Sequence, residues 1–218
     1  MAYLALVRHG LSEWNKIGLW TGLTDISLAP EGREQARQAG EALKEIHFDI
    51  AFVSKLIRAK ETLDEMLNVF GYKPKIISDR AIEERDYGIY TGKNKWEVKK
   101  KIGDKKYQEI RRGWNIEIPE GESLKQVYDR VIPYFEQNIL TELESGKNVL
   151  VSAHGNSLRA LVKYLDKLSN EDVTKLNIAT GETYLYEFDS KGLIIGKKII
   201  KSKGGPASVD SSQGGQDV

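Results

Sequence analysis

The sequence predicts an α/β fold, a three-layer α/β/α sandwich on a mostly parallel central sheet with an antiparallel edge strand. Three observations carry this. Short apolar runs at residues 3–7, 49–54 and 148–153 have the length and composition of strands buried on both faces. Stretches with apolar residues at helical spacing lie between them. Residues 183–188 and 194–200 then read as a closing antiparallel pair.

In chain order, Tyr3 to Val7 forms the first strand and runs into Arg8-His9-Gly10. Pro30 suits a first helical position, Glu31 and Glu34 place negative charge in the first turn, and Ala36, Ala39, Leu43 and Ile46 make the apolar stripe. Asp49 to Ser54 is a second strand. Residues 56–70 carry a helical stripe that Gly71 stops, and Lys75 to Ile77 is a third strand. Residues 83–92 read as loop, and 93–112 show only weak periodicity. A long helix is expected over 122–144, with Pro133 kinking it or marking a weak turn. Asn148 to Ala153 is the clearest strand, followed by a helix through Leu158, Leu161, Val162 and Leu165.

The 218 residues suit a single domain over 1–200, and the Gly/Ser-rich stretch 201–218 reads as a flexible tail. Lys201 and Lys203 make a transient lid role for that tail conceivable. The chain has no cysteine, so disulfides, thiolate metal sites and thiol nucleophiles are excluded. With only three histidines, a multi-histidine zinc site would need nearly all of them. The net charge of +1 gives no global argument for nucleic acid or an acidic membrane. No apolar run approaches the ~20 residues of a membrane span, and the start is too soon charged for a signal peptide. A cytoplasmic location is the expectation.

Two of the histidines share a context. His9 and His154 each follow a strand and precede a glycine and a loop-to-helix transition. In an open α/β sheet that is where ligands bind, so the two can face each other across one site. Gly10 and Gly155 would let a ligand approach the backbone. His47 reads as a surface or cap residue. Arg8, Arg58 and Arg159 stand near the same strand ends; guanidinium forks suit phosphate oxygens, and histidine can accept a phosphoryl group. Residues 93–112 carry a net charge of +6, offering Lys95, Arg111 and Arg112 as a second cationic cluster, while the other lysines there are expected to be solvated.

Arg8-His9-Gly10-Leu11-Ser12-Glu13-Trp14-Asn15 resembles the signature of the cofactor-dependent phosphoglycerate mutases of the histidine phosphatase superfamily. Further matching stretches follow in order. They are Thr21-Gly22 with Asp25; Ser54 to Ala59 with Thr62; Glu84 to Gly88 with Lys95; Arg111-Arg112; Ala153 to Arg159; and Asn177 to Glu182. The resemblance covers residues 3 to about 190, and jointly these motifs are specific.

The resemblance implies a phosphoglycerate mutase-like fold and a phosphohistidine enzyme. His9 would be the nucleophile, with Arg8, Arg58, His154 and Asn15 holding the transferring phosphoryl group. Glu84 would be the general acid/base. Thr21, Gly22, Tyr87, Lys95, Arg111, Arg112, Gly155 and Asn156 would bind the rest of a small phosphorylated substrate. The implied reaction is 3-phosphoglycerate to 2-phosphoglycerate, with 2,3-bisphosphoglycerate as primer and intermediate, no metal, no nucleic-acid or membrane partner, and a monomer or homodimer. Ser12 favours a mutase over the related bisphosphoglycerate synthases, which tend to carry glycine there. A phosphatase acting on small phosphorylated metabolites by the same phosphohistidine step is the alternative. Four departures stand out: Asp86 adds negative charge beside Glu84, Ala179 replaces a proline and should loosen its loop, Leu23 stands where the family often has tryptophan, and the segment after Arg112 is short.

Overall fold

The computed structural model describes residues 1–202, so the predicted tail lies, from residue 203 on, outside the described residues. Six strands form one sheet: β1 (Ala2–Arg8), β2 (Ile50–Ser54), β3 (Lys75–Asp79), β4 (Val149–Ala153), β5 (Thr183–Phe188) and β6 (Ile194–Ile200). Their order is β3-β2-β4-β1-β5-β6. β3, β2, β4 and β1 pair in parallel, while β5 pairs antiparallel with both β1 and β6. The strand that reverses the sheet is therefore β5, one position in from the edge.

The continuous apolar runs follow from cover on both faces. Leu4 and Leu6 of β1 enter one core, while Ala5 and Val7 enter the other. β4 divides likewise, Val149 and Val151 against Leu150. Alternate side chains on a strand point to opposite faces, so a strand with helices on both sides needs no polar position. After the short α1 (Glu13–Lys16), α2 (Pro30–Leu43) and α3 (Ile57–Phe70) cover one face; α2 begins with Pro30 in its first turn, and left-handed Gly71 ends α3.

The basic segment 93–112, whose periodicity is weak, forms two helices, α4 (Lys95–Ile102) and α5 (Asp104–Arg112). The Asn94 side chain starts α4 by accepting from the Trp96 and Glu97 amides. Only Val98, Tyr107 and Ile110 of the pair are buried, too few among the lysines to show a stripe.

The predicted long helix divides. α6 (Leu124–Tyr134) opens with a Ser123–Gln126 capping box, a π-helical turn spans Phe135–Leu140, and α7 (Thr141–Glu144) follows. Pro133 removes one N–H from the helical ladder, and the wider turn after it keeps Phe135 and Ile139 fully buried. α8 (Gly155–Leu165) lies beside α6 on the second face, and a short α9 (Asp172–Lys175) leads toward β5. No helix among the described residues is long and apolar enough to cross a membrane.

Candidate active site

β1 and β4 are adjacent and parallel, with Arg8 level with Ala153. Their carboxyl ends therefore deliver His9 and His154 to the same place. The His9 amide donates to the Ala153 carbonyl at 2.9 Å, and the two imidazole centroids are 5.0 Å apart.

His9 Nδ1 lies 2.7 Å from the Gly10 carbonyl oxygen. A carbonyl only accepts, so the neutral ring carries its proton on Nδ1 and keeps a lone pair on Nε2. Burial, reinforced by the Arg58 and Arg8 charges, holds this imidazole well below its ordinary range, so it is neutral near pH 7. His154 is depressed in the same way, by burial first and then by Arg58. Its Nε2 is 2.7 Å from Ser54 Oγ, which also accepts from the Leu56 amide. The Ser54 hydroxyl can donate to or accept from Nε2, and His154 Nδ1 is buried without a partner among the described residues.

Two guanidinium groups flank the histidines. Arg58 is held by the Thr24 and Gly22 carbonyls, at 2.9 and 2.8 Å, and Arg8 by the Ile178 carbonyl at 2.5 Å. Neither forms an ion pair among the described residues, and the Nε of each is buried without a partner. Burial lowers both, Arg58 to about 10. Ser12 caps α1 by accepting from the Asn15 amide, which places the Asn15 side chain 3.4 Å from Thr21 Oγ1 in the same wall.

Glu84 is buried, and one of its oxygens is saturated. Oε1 accepts from the Arg85 amide (2.9 Å), the Asn156 amide and Asn156 Nδ2 (3.0 Å each). Oε2 has no hydrogen bond among the described residues and lies beside Gly155, where an added Cβ would sit 3.6 Å from it and 3.4 Å from the Arg8 guanidinium. Asn156 Nδ2 also donates to Tyr87 Oη at 2.9 Å.

The second cationic cluster shares this cavity. Lys95 and Arg111 make no side-chain hydrogen bond or ion pair among the described residues, and Lys95 lies over Trp20 at 6.0 Å. Burial, with Arg111 and Arg8 nearby, lowers the Lys95 ammonium to about 8. Arg112 donates to Asn177 Oδ1 at 3.1 Å.

Every residue predicted for the site reaches this cavity except His154, which lies just beneath it against His9. Trp20 and the Leu176–Ile178 strip also line it. Trp20 could have been found from its place directly before Thr21-Gly22.

Several expectations change. Gly10 does not face a ligand: a Cβ there would sit 2.1 Å from the Gly32 oxygen, so it is needed where the loop crosses the start of α2. The Asp86 carboxylate turns away to accept from the Gly88 amide at 2.8 Å. Ala179 does not loosen its loop, because its N–H, which proline lacks, donates to Glu182 Oε2 at 2.5 Å. Arg159 lines the cavity, but both its Nη atoms are engaged by protein oxygens. His47 is exposed and stacked on Tyr72 as expected. Of the remaining lysines in 93–112, Lys99 is half-buried and paired with Asp104, and the others are exposed.

His9, Glu84 and His154 place potential ligand atoms within 4.8 Å of one another. With Arg8 and Arg58 around them, that cluster offers an anion better company than a dication. A profile of the histidine phosphatase superfamily (branch 1) matches residues 4–198. The chain belongs to that superfamily. A Parvibaculum lavamentivorans relative named 2,3-bisphosphoglycerate-dependent phosphoglycerate mutase is 48% identical over 200 residues, 90% of this chain and 95% of that protein. A Cytophaga hutchinsonii relative of the same name is 48% identical over 191 residues, 88% of this chain and 90% of that protein. Among solved structures, Bacillus stearothermophilus YhfR superposes with a TM-score of 0.78 at 22% identity, over 96% of this chain and 100% of that one. That likeness concerns the superfamily fold.

Proposed function

We infer that the chain is a 2,3-bisphosphoglycerate-dependent phosphoglycerate mutase, interconverting 3-phosphoglycerate and 2-phosphoglycerate in glycolysis and gluconeogenesis. The observation that carries this reading is a buried, neutral His9 opening onto a cavity lined by Arg8, Arg58, Lys95 and Arg111, none of which forms an ion pair among the described residues. A monophosphatase needs cations around one phosphoryl group. A mutase holds anionic groups at both ends of its substrate, which supplies a reason for Lys95 and Arg111 in addition to Arg8 and Arg58. The 48% identity to mutases over most of the chain supports the same reading. A cytoplasmic location goes with that reaction.

His9 acts through Nε2, whose lone pair is kept by the Nδ1–H bond to Gly10. In its phosphorylated form it gives the phosphoryl group to the free hydroxyl of a bound monophosphate, while Glu84 Oε2 takes the hydroxyl proton. His9 then takes a phosphoryl group from the other substrate oxygen, and Glu84 returns the proton to that oxygen. Arg8, Arg58 and His154 stabilise negative charge on the phosphoryl oxygens through the transfer, with Asn15 beside them. Thr21, Gly22, Tyr87, Lys95, Arg111, Arg112, Gly155 and Asn156 hold the rest of the substrate.

The unpartnered Nε groups of Arg8 and Arg58, with Lys95 and Arg111, suit a molecule carrying phosphate at both ends. When bound, 2,3-bisphosphoglycerate supplies the phosphoryl group that primes His9. Turnover with and without added bisphosphate, in EDTA, tests the function. Isomerisation stimulated by bisphosphate and insensitive to EDTA is expected. Dominant release of inorganic phosphate from many esters would favour a phosphatase instead.

A further inference from the structure

We propose that Arg159 is a positioning residue that sets the direction of the Asn156 amide and, through it, the orientation of Glu84. This rests on the reading of Glu84 as the proton carrier. Arg159 lies one helical turn after Asn156 on α8 and is 5% exposed. Every hydrogen bond it makes among the described residues is to a neutral oxygen: Nη1 to Asn156 Oδ1 at 2.9 Å, and Nη2 to the Arg112 carbonyl at 2.8 Å and the Val173 carbonyl at 2.6 Å. A buried cation held without an anion is costly to keep. Its placement therefore calls for a role that a neutral side chain would not fill.

The role follows from donor and acceptor types. A side-chain amide is nearly isosteric end for end, so packing alone does not choose which end faces Glu84. A guanidinium has only donors. Facing Asn156, it accepts only the arrangement with Oδ1 toward Arg159 and the two Nδ2 hydrogens toward Glu84 Oε1 and Tyr87 Oη. The opposite arrangement would press Oδ1 against the carboxylate. With the correct end in place, Glu84 Oε1 is saturated, and Oε2 is the oxygen left for proton transfer. The second nitrogen does something separate: it ties down the Arg112 carbonyl at the end of α5, the helix that carries Arg111 and Arg112.

The two contacts predict two separable losses. Arg159→Met lowers kcat on the order of tenfold through Asn156, and it raises KM for phosphoglycerate severalfold through α5. In an Asn156→Ala background the kcat effect of Arg159→Met disappears, because the amide it orients is gone, while the KM effect persists. Folding is checked by circular dichroism and thermal melting, and Arg159→Lys, which keeps the charge but not the fork, carries the same cycle should the Met variant not fold. An equal fall in kcat in both backgrounds, or no fall in the otherwise wild-type chain, would overturn the proposal. A wild-type chain that does not isomerise phosphoglycerates would instead overturn the function on which the proposal rests.

Discussion

Asn156 grips Glu84 twice, its backbone amide and its Nδ2 each 3.0 Å from the same carboxylate oxygen, Oε1. That leaves the carboxylate asymmetric, one oxygen fixed and the other beside Gly155 at the cavity wall. Glu84→Gln keeps an oxygen for these three donors and replaces the other with an amide that cannot carry a proton back and forth. The expected result is a loss of kcat of roughly 10²- to 10⁴-fold with little change in melting temperature, measured by steady-state kinetics.

The histidines make stability depend on pH. Both folded-state values lie well below the ordinary 6.5, so the unfolded chain binds more protons over that interval. Stability should be full above about pH 6.5 and fall as pH drops below it, by up to about 1.4 kcal/mol per pH unit for each histidine. Urea unfolding between pH 7.5 and 5 reads this slope. Replacing His9 with Gln should reduce it, and an unchanged slope would contradict the account of its burial.

Lys95, lowered to about 8, should lose charge in the free enzyme within reach of ordinary assay pH. KM for phosphoglycerate is expected to rise as pH passes through that region. Lys95→Met should raise KM at pH 7 and abolish the rise. Acylation of the Lys95 amine, followed by mass spectrometry, should be slowed by saturating substrate.

The loop carrying His9 depends on two glycines. A Cβ at Gly32 would lie 2.1 Å from the Leu11 oxygen, and one at Gly10 equally close to Gly32. Gly32→Ala should therefore cost about 3 kcal/mol, seen as a lower urea midpoint, with a fall in kcat as the His9 loop shifts.

What was legible in the sequence was what has a local pattern. The runs around Val7 and Val151 are apolar on both faces because α2, α3, α6 and α8 cover them, and the histidines that end them fall into one site because β1 and β4 are neighbours. α4 and α5 were not legible, since Val98, Tyr107 and Ile110 are isolated among lysines. The π-helical turn was visible only as Pro133. Arg85, Arg130 and Arg159 are held largely by backbone carbonyls, and an acceptor of that kind leaves no mark in a sequence. Arg130 donates to the Glu84 carbonyl at 2.9 Å, so part of the scaffold behind the site comes from α6, far along the chain from Glu84.

The central claim is that the phosphoryl group is carried on His9 Nε2. Brief incubation with labelled 2,3-bisphosphoglycerate, quenching in alkali and peptide mapping test it most directly. The account predicts acid-labile label on His9, discharged by unlabelled phosphoglycerate and absent from His9→Ala, which is inactive. Phosphoglycerate turnover by His9→Ala at the wild-type rate, or a wild-type chain that turns over without ever carrying label on His9, would contradict it.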